Sequence, residues 1–228
     1  FLHPDMVDIL CDTLQFGPAT VLTNSTVLKE QWLNRLSKAQ QQCRYSLEFR
    51  VSIDGFDAPT NDAIRGDGTF DRAIRGVELL VQSGFLPIIT ATRTWPDSED
   101  QKVLGEFTTM LLKRGYQHPR IKLLPSLKLG AEQARTEAYS EHERVSDKML
   151  NTLDHQQFVC EHARIVTDRG VHVCPILIES PDSVLGQDLK NSTEQPFDLN
   201  HGACFTCYQY GAICSNVSLN TTPERGSE

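Results

Sequence analysis

The chain has no run of about 18 apolar residues, the length an apolar helix needs to cross a bilayer, and its first ten residues carry Asp5 and Asp8 where a secretory leader would be uncharged. These absences lead us to expect a soluble, cytoplasmic protein with no membrane partner. A basic stripe is missing too. With 22 Lys and Arg against 30 Asp and Glu, a formal charge of -8 and no Lys/Arg run, nothing matches the electrostatic footprint of a nucleic-acid-binding surface. Internal repeats and low-complexity tracts are also lacking. Aromatic residues make up only 7%, yet 39% apolar residues in 228 suffice for the core of one large domain, or of a medium domain with an appendage. The chain opens on Phe1, not Met, as a processed, trimmed or fragmentary chain would.

Cysteine is unevenly placed. Cys11 and Cys43 stand apart, whereas Cys160, Cys174, Cys204, Cys207 and Cys214 fall in one region. A disulfide framework spreads through a small secreted chain, and an odd total of 7 leaves one thiol over, so clustering favours a metal site. Glycosylation-type triplets at Asn24, Asn191, Asn216 and Asn220 suit the competing picture of a secreted disulfide-linked glycoprotein, but they arise readily by chance in Ser/Thr-rich loops.

Helical and strand-like segments alternate from Asp5 to about Leu127. Met6, Ile9, Leu10 and Leu14 predict a first helix ended near Gly17-Pro18, and Ala19 to Thr23 reads as a strand. A helix over Val27 to Ala39 carries Leu28, Trp32, Leu33 and Leu36 on one face, with Thr26 as its cap. Ser46 to Ile53 reads as a strand. After a Gly-, Asp- and Pro-rich loop, Thr69 caps a helix bearing Phe70, Ile74, Val77 and Val81. Leu86 to Thr92 and Arg120 to Leu124 are strands flanking a helix over Asp97 to Arg114. Strands separated by single helices imply right-handed crossovers and a parallel sheet, whose ligands gather at the strands' carboxyl ends. Thr23-Asn24, Ser52 to Gly55, Thr92-Arg93 and Pro125-Ser126 lie at those ends.

Residues 129–157 read as a polar helical connector and 163–174 as a β-hairpin turning at Arg169-Gly170. Residues 217–228 read as a disordered tail. The strongest local signal is Cys204-Phe-Thr-Cys207 with Cys214 beyond it; a tight turn would set the first two sulfurs on one side. The hairpin brings Cys160 and Cys174 near its two ends. Four of these five thiols suffice for one [4Fe–4S] cluster or, equally by spacing, for a structural zinc ion.

These residues then resemble a known family. Ser52-Ile-Asp-Gly55, Asn61-Asp62-Ala-Ile-Arg65-Gly66 and Gly68-Thr-Phe-Asp71 are similar to the central part of radical S-adenosylmethionine (radical SAM) enzymes, in the branch with C-terminal SPASM or Twitch cluster modules. Thr23-Asn24-Ser25 resembles that family's Thr-Asn-Gly, with Ser25 in place of glycine. Phe1 to Asp5 resembles the segment after its Gly-Gly-Glu-Pro element, and the cysteine series from Cys160 to Cys214 resembles the module itself. The resemblance implies part of a (β/α)6 TIM-like barrel of about four βα units over 1–128, then a SPASM/Twitch-like iron–sulfur module over 158–216.

Carried over residue by residue, it implies S-adenosylmethionine held by Asn24, Ser52, Asp54 and Arg65, and one auxiliary [4Fe–4S] cluster on Cys160, Cys174, Cys204, Cys207 and Cys214. It also implies an external electron donor and a peptide or small-molecule substrate modified through a 5′-deoxyadenosyl radical. The plain alternatives are a turn at Ser52 to Gly55, a solvated ion pair at Arg65 and a local cap at Asn24. Departures are as telling. The Cys-x-x-x-Cys-x-x-Cys loop of the catalytic cluster is absent, so that cluster is expected in a lost N-terminal part, the alternative being a relic without activity, and the chain alone is expected to be inactive. Pro175 follows Cys174, where sulfatase-maturase relatives carry an acidic base, and no cysteine follows Cys214. The runner-up reading is a non-catalytic protein stabilised by zinc or iron–sulfur.

Overall fold

A computed structural model describes residues 1–135, 137–151 and 158–211. Cys214 and the 217–228 tail lie outside the described residues, as does 152–157 within the connector. The chain divides after Leu124 into two compact units.

In the first unit, helix α1 (Met6–Phe16) precedes strand β1 (Ala19–Thr23), and α2 (Glu30–Gln42) leads to β2 (Leu47–Ser52). Helices α3 (Ala58–Arg65) and α4 (Thr69–Gln82) precede β3 (Ile88–Thr92), and α5 (Asp100–Lys113) precedes β4 (Arg120–Leu124). The four strands pair in parallel in the order β1-β2-β3-β4. Parallel crossovers are right-handed, so an order that never reverses sends every connecting helix to the same face. A doubly wound sheet, by contrast, reverses at a switch point and is covered on both faces. The topology is therefore an arc of a (β/α) barrel.

Side-chain alternation bears this out. Ala19, Val21, Leu47, Phe49, Val51, Ile89, Ala91, Ile121 and Leu123 pack with Leu10, Leu14, Leu33, Leu36, Ile74, Val77, Leu80, Phe107 and Leu111 of the helices in one core. The opposite face reads, row by row across the register, Thr20-Glu48, then Leu22-Arg50-Ile88-Arg120, then Ser52-Thr90-Lys122, then Thr92-Leu124. Most parallel sheets are apolar on both faces because helices cover both. Here one face is polar, with Glu48 pairing Arg50 at 3.2 Å and Arg120 at 3.1 Å.

Local differences from expectation have local causes. Thr26 does not cap α2: its backbone N–H and hydroxyl both donate to Asn24 Oδ1, and the cap is Lys29. The loop after Gly55 contains α3, started by a capping box of Asp57 with Thr60 and by Pro59 in its first turn. Thr69 is the first residue of α4, not its cap; Gly68 stands at the cap with φ +67°.

Beyond β1, Ser25 is the one non-glycine residue among the described residues with positive φ, at +57°, a conformation that glycine adopts without strain. Its Oγ lies 2.8 Å from Ala73 O of α4. A Cβ on Gly76, one turn further along, would meet Ser25 O at 2.2 Å. The β1 loop is thereby pressed onto α4.

In the second unit, helix within 129–151 is confined to a 3₁₀ turn at Gly130–Ala134 and α6 (Asp147–Leu150). Helix α7 (Val159–His162) is followed by β5 (Ile165–Thr167) and β6 (Gly170–His172), the expected hairpin. A third strand, β7 (Val184–Gly186), pairs with β6, and α8 (Leu189–Thr193) and α9 (Gly202–Tyr210) follow. His172 is buried with its ring nitrogens on Ser183 Oγ at 2.9 Å and Thr167 Oγ1 at 3.1 Å, a structural histidine. The fully buried apolar cluster is only Val173, Leu177, Ala203 and Cys204, with Leu127, Ile176 and Phe197 among those packed on it. No described helix is long and apolar enough to cross a membrane.

The Gly76→Ala variant is expected to lose about 1–3 kcal/mol, because the new methyl meets main chain rather than a movable side chain. Urea denaturation followed by circular dichroism would record a lower midpoint with an unchanged slope.

Candidate functional site

The structure offers two sites, one in each unit. The first lies at the carboxyl end of β2. Ser52 is half-buried on the polar face, and its hydroxyl has no protein partner among the described residues. Two residues on, Asp54 is 6% exposed and held from three directions. Its N–H donates to Asn61 Oδ1 at 3.1 Å, its Oδ1 accepts from Thr92 N at 2.7 Å, and its Oδ2 lies 2.7 Å from Arg65 Nε. That last contact is an ion pair without an aligned hydrogen bond, for the Nε proton has no acceptor in line and is buried. The outer nitrogens of Arg65 are unclaimed among the described residues. Asp54 thus anchors one edge of the guanidinium and leaves its fork open to a carboxylate.

Asn61, which is fully buried, and Asp62 build this mouth; sequence reasoning quoted both and gave them no role. Asp62 accepts from Gly68 N at 2.7 Å, Phe70 N at 2.8 Å and Thr69 Oγ1 at 3.0 Å, so it caps α4 from six residues away. Asn61 Nδ2 adds a bond to Asp62 at 3.1 Å. Partial desolvation pushes the Asp62 carboxyl up, but the bonds from Phe70, Asn61, Gly68 and Thr69 outweigh it and hold it below the ordinary carboxylate range. Gly55 is obligatory, since a Cβ there would sit 2.3 Å from Asn61 N. Asn24, by contrast, is exposed and spends its Oδ1 on Thr26; no bond joins it to Ser52, Asp54 or Arg65.

In the second unit Cys160, Cys174, Cys204 and Cys207 line one cavity of about 40 Å³. Its other walls are apolar, Phe158, Ile176, Leu177 and Leu199 among them. Cys160 sits on α7, Cys174 lies two residues beyond β6, and Cys204 and Cys207 lie on α9. Helix, not a tight turn, sets the last two sulfurs on one side, because residues three apart share a helix face. Among the described residues no three His, Cys, Asp or Glu side chains close to the spacing of a single ion; the four cysteines share the lining of one cavity.

Burial raises the Cys160 thiol, with Cys174 adding to it, and burial likewise raises Cys174. Cys204 is pushed up to about 11, mainly by burial and further by Cys174 and Cys160. These groups are protonated at neutral pH and repel one another as thiolates, so only a cationic centre makes the charged form favourable here.

No family model matches the chain. It is 34% identical over 80 residues to mycofactocin maturase of Mycolicibacterium smegmatis, covering 35% of the chain and 20% of the relative. Mycofactocin maturase of Mycobacterium tuberculosis is 28% identical over 134 residues, 57% of the chain and 31% of the relative. The chain therefore matches only a minor part of these relatives' length. In fold it is similar to Streptococcus suis SuiB bound to S-adenosylmethionine, with a TM-score of 0.55 at 13% identity over 86% of this chain and 52% of that one. It is also similar to anSMEcpe with bound AdoMet and Kp18Cys peptide, with a TM-score of 0.52 at 17% identity over 77% and 57%. Both lines of comparison meet in the radical SAM family, in agreement with the residues from Ser52 to Asp71.

Two outcomes follow. A depressed carboxylate stabilises the fold above its unfolded pKa, and that contribution disappears as the pH falls through the folded value. Asp62→Asn should therefore be less stable than the parent at neutral pH, with the gap narrowing as the pH drops below about 4; urea midpoints across that range measure it. Because the thiols of the cavity must shed protons to bind metal, metal uptake should release acid and strengthen from pH about 6 to about 9, as titration in weakly buffered solution would record.

Proposed function

We propose that this chain is the part of a radical SAM enzyme that completes the cofactor mouth and carries a SPASM/Twitch-like auxiliary cluster, acting on a peptide. The observation that carries the reading is the gathering of four thiols around one apolar cavity, in a chain whose other unit has a one-sided parallel sheet. Thiolate is the donor that iron–sulfur clusters take, and four cysteines lining one cavity without single-ion spacing suit a multi-iron centre better than a single zinc ion. At the mouth, the buried Nε of Arg65 without an aligned acceptor, the open side of its fork and the unpartnered Ser52 hydroxyl fit a ligand carboxylate. S-adenosylmethionine carries one. The relatives' names, a maturase and a structure holding a peptide, support the peptide substrate.

In this reading Arg65, fixed by Asp54, binds the carboxylate of S-adenosylmethionine, and Ser52 donates to a neighbouring oxygen of the same ligand. Asp54 and Asn61 hold both groups still by tying the end of β2 to Thr92 and to α4. Cys160, Cys174, Cys204 and Cys207 hold the auxiliary cluster, with Cys214 a further donor. When bound, S-adenosylmethionine and a catalytic cluster supply the hydrogen-abstracting radical chemistry; an external reductant provides electrons. The chain's own residues orient ligands and exclude water.

Anaerobic incubation of the whole chain with iron and sulfide should load about four of each per chain, and Cys174→Ser or Cys204→Ser should abolish this. Uptake of zinc alone would overturn the cluster. In equilibrium dialysis with labelled S-adenosylmethionine, Arg65→Gln should weaken binding about tenfold, and Ser52→Ala by less. Unchanged affinity in both variants would remove them from the site.

A further inference from the structure

Arg164 lies two residues beyond the end of α7, and the residue after it opens β5. Its guanidinium is spent on main-chain oxygens: Nη1 donates to Cys160 O at 2.7 Å and to Ala163 O at 2.9 Å. Nε donates to Ser192 O at 3.0 Å, and Nη2 to Thr193 O at 2.9 Å and Gln195 O at 3.2 Å. Arginine has five N–H donors in a rigid fork, and here five carbonyls match them. Three belong to 192–195 and two to the α7 end, so one side chain ties the helix bearing Cys160 to the α8 loop.

No carboxylate pairs with Arg164 among the described residues. Carbonyl dipoles solvate a charge without cancelling it, so a full positive charge stays fixed beside Cys160. A second cavity of about 370 Å³ is lined by both Arg164 and Cys160, while Cys160 also lines the thiol cavity. Cys160 therefore borders both the cavity that Arg164 lines, with Glu161, Glu194 and Asp198 also on its wall, and the cavity that the four cysteines line. Four thiolates in an apolar pocket are an unfavourable concentration of negative charge unless cations lie close by.

We infer that Arg164 is a positioning residue for the auxiliary cluster, fixing Cys160 through its carbonyl and supplying the permanent cation that favours the cluster's reduced, more negative form. This rests on the proposed cluster. Two consequences separate its geometric from its electrostatic part. Loss of the five bonds should loosen iron, and loss of the charge should lower the reduction potential, which net charge and neighbouring dipoles set.

The test uses the whole chain, reconstituted with iron and sulfide, as wild type, Arg164→Gln and Arg164→Lys. Iron release to EDTA is followed by absorbance, and the midpoint potential by dye-mediated titration. Arg164→Gln should release iron roughly tenfold faster and show a midpoint shifted to more negative values. Arg164→Lys should also release iron faster, since one ammonium cannot serve five carbonyls, yet keep the midpoint near that of the wild type. An Arg164→Gln protein that holds iron and titrates like the wild type overturns the inference, as does a glutamine midpoint equal to that of lysine. If Arg164→Gln does not fold, the lysine variant decides alone, and unchanged iron retention there refutes the role. A wild-type chain that takes up no iron sinks the cluster itself, a failure visible before any variant is compared.

Discussion

A parallel sheet whose helices all lie on one side must leave its other face to something else, and most of the molecule's chemistry follows from that constraint. In β2 the residues Leu47, Phe49 and Val51 turn toward the helices, while Glu48, Arg50 and Ser52 turn away. Each polar side chain on that second face would be costly under a second helical layer. Facing the open side of a barrel arc, it stays accessible, as the Ser52 hydroxyl does, or joins a charge network such as Glu48 with Arg50 and Arg120. The same alternation carries on past the strand's end and delivers Asp54 beside Arg65.

The loop after β2 shows how such a site is kept rigid without apolar packing. Asn61 and Asp62 are adjacent in sequence but serve different masters: Asn61 reaches back to the Asp54 N–H, and Asp62 reaches forward to the first N–H groups of α4. Gly55 is needed so that the chain can pass close to Asn61. Ser25, held at positive φ against Ala73, and Gly76, with no room for a side chain, fix the neighbouring loop onto the same helix. Helix α4 is thus the common support for the ends of β1 and β2, and small or hydrogen-bonding residues appear wherever main chain must approach main chain.

The second unit solves a different problem. Its buried apolar cluster is small, and a fold of this size with so modest a core commonly relies on a covalent or inorganic staple. The cavity lined by Cys160, Cys174, Cys204 and Cys207 lies within that cluster, so binding there and folding of the unit are thermodynamically linked. The thiols are also where burial costs most once they ionise. The guanidinium of Arg164, bound to main-chain carbonyls, holds the carbonyl of one of these cysteines, Cys160.

Much of this was legible in the chain itself. Hydrophobic spacing located β1 at its observed limits, together with α1, α4, α5 and the hairpin, because periodicity is a local property. The clustering of thiols after Cys160, and the order of Ser52, Asp54 and Arg65, were likewise in the sequence. The helix α3 was missed although Asp57, Pro59 and Thr60 announce its start, because its polar surface gives no apolar stripe. The strand β7 escaped because three residues carry too little pattern, and the conformation of Cys204 to Cys207 because turn and helix space two cysteines alike. Composition and periodicity determined which residues are apolar, which are chemical and how the elements alternate. Only the tertiary structure decided that Asp54 grips Arg65 while Asn24 turns to Thr26, and that four distant thiols share one cavity. Those facts depend on register and packing between segments far apart in the chain, which no local pattern encodes.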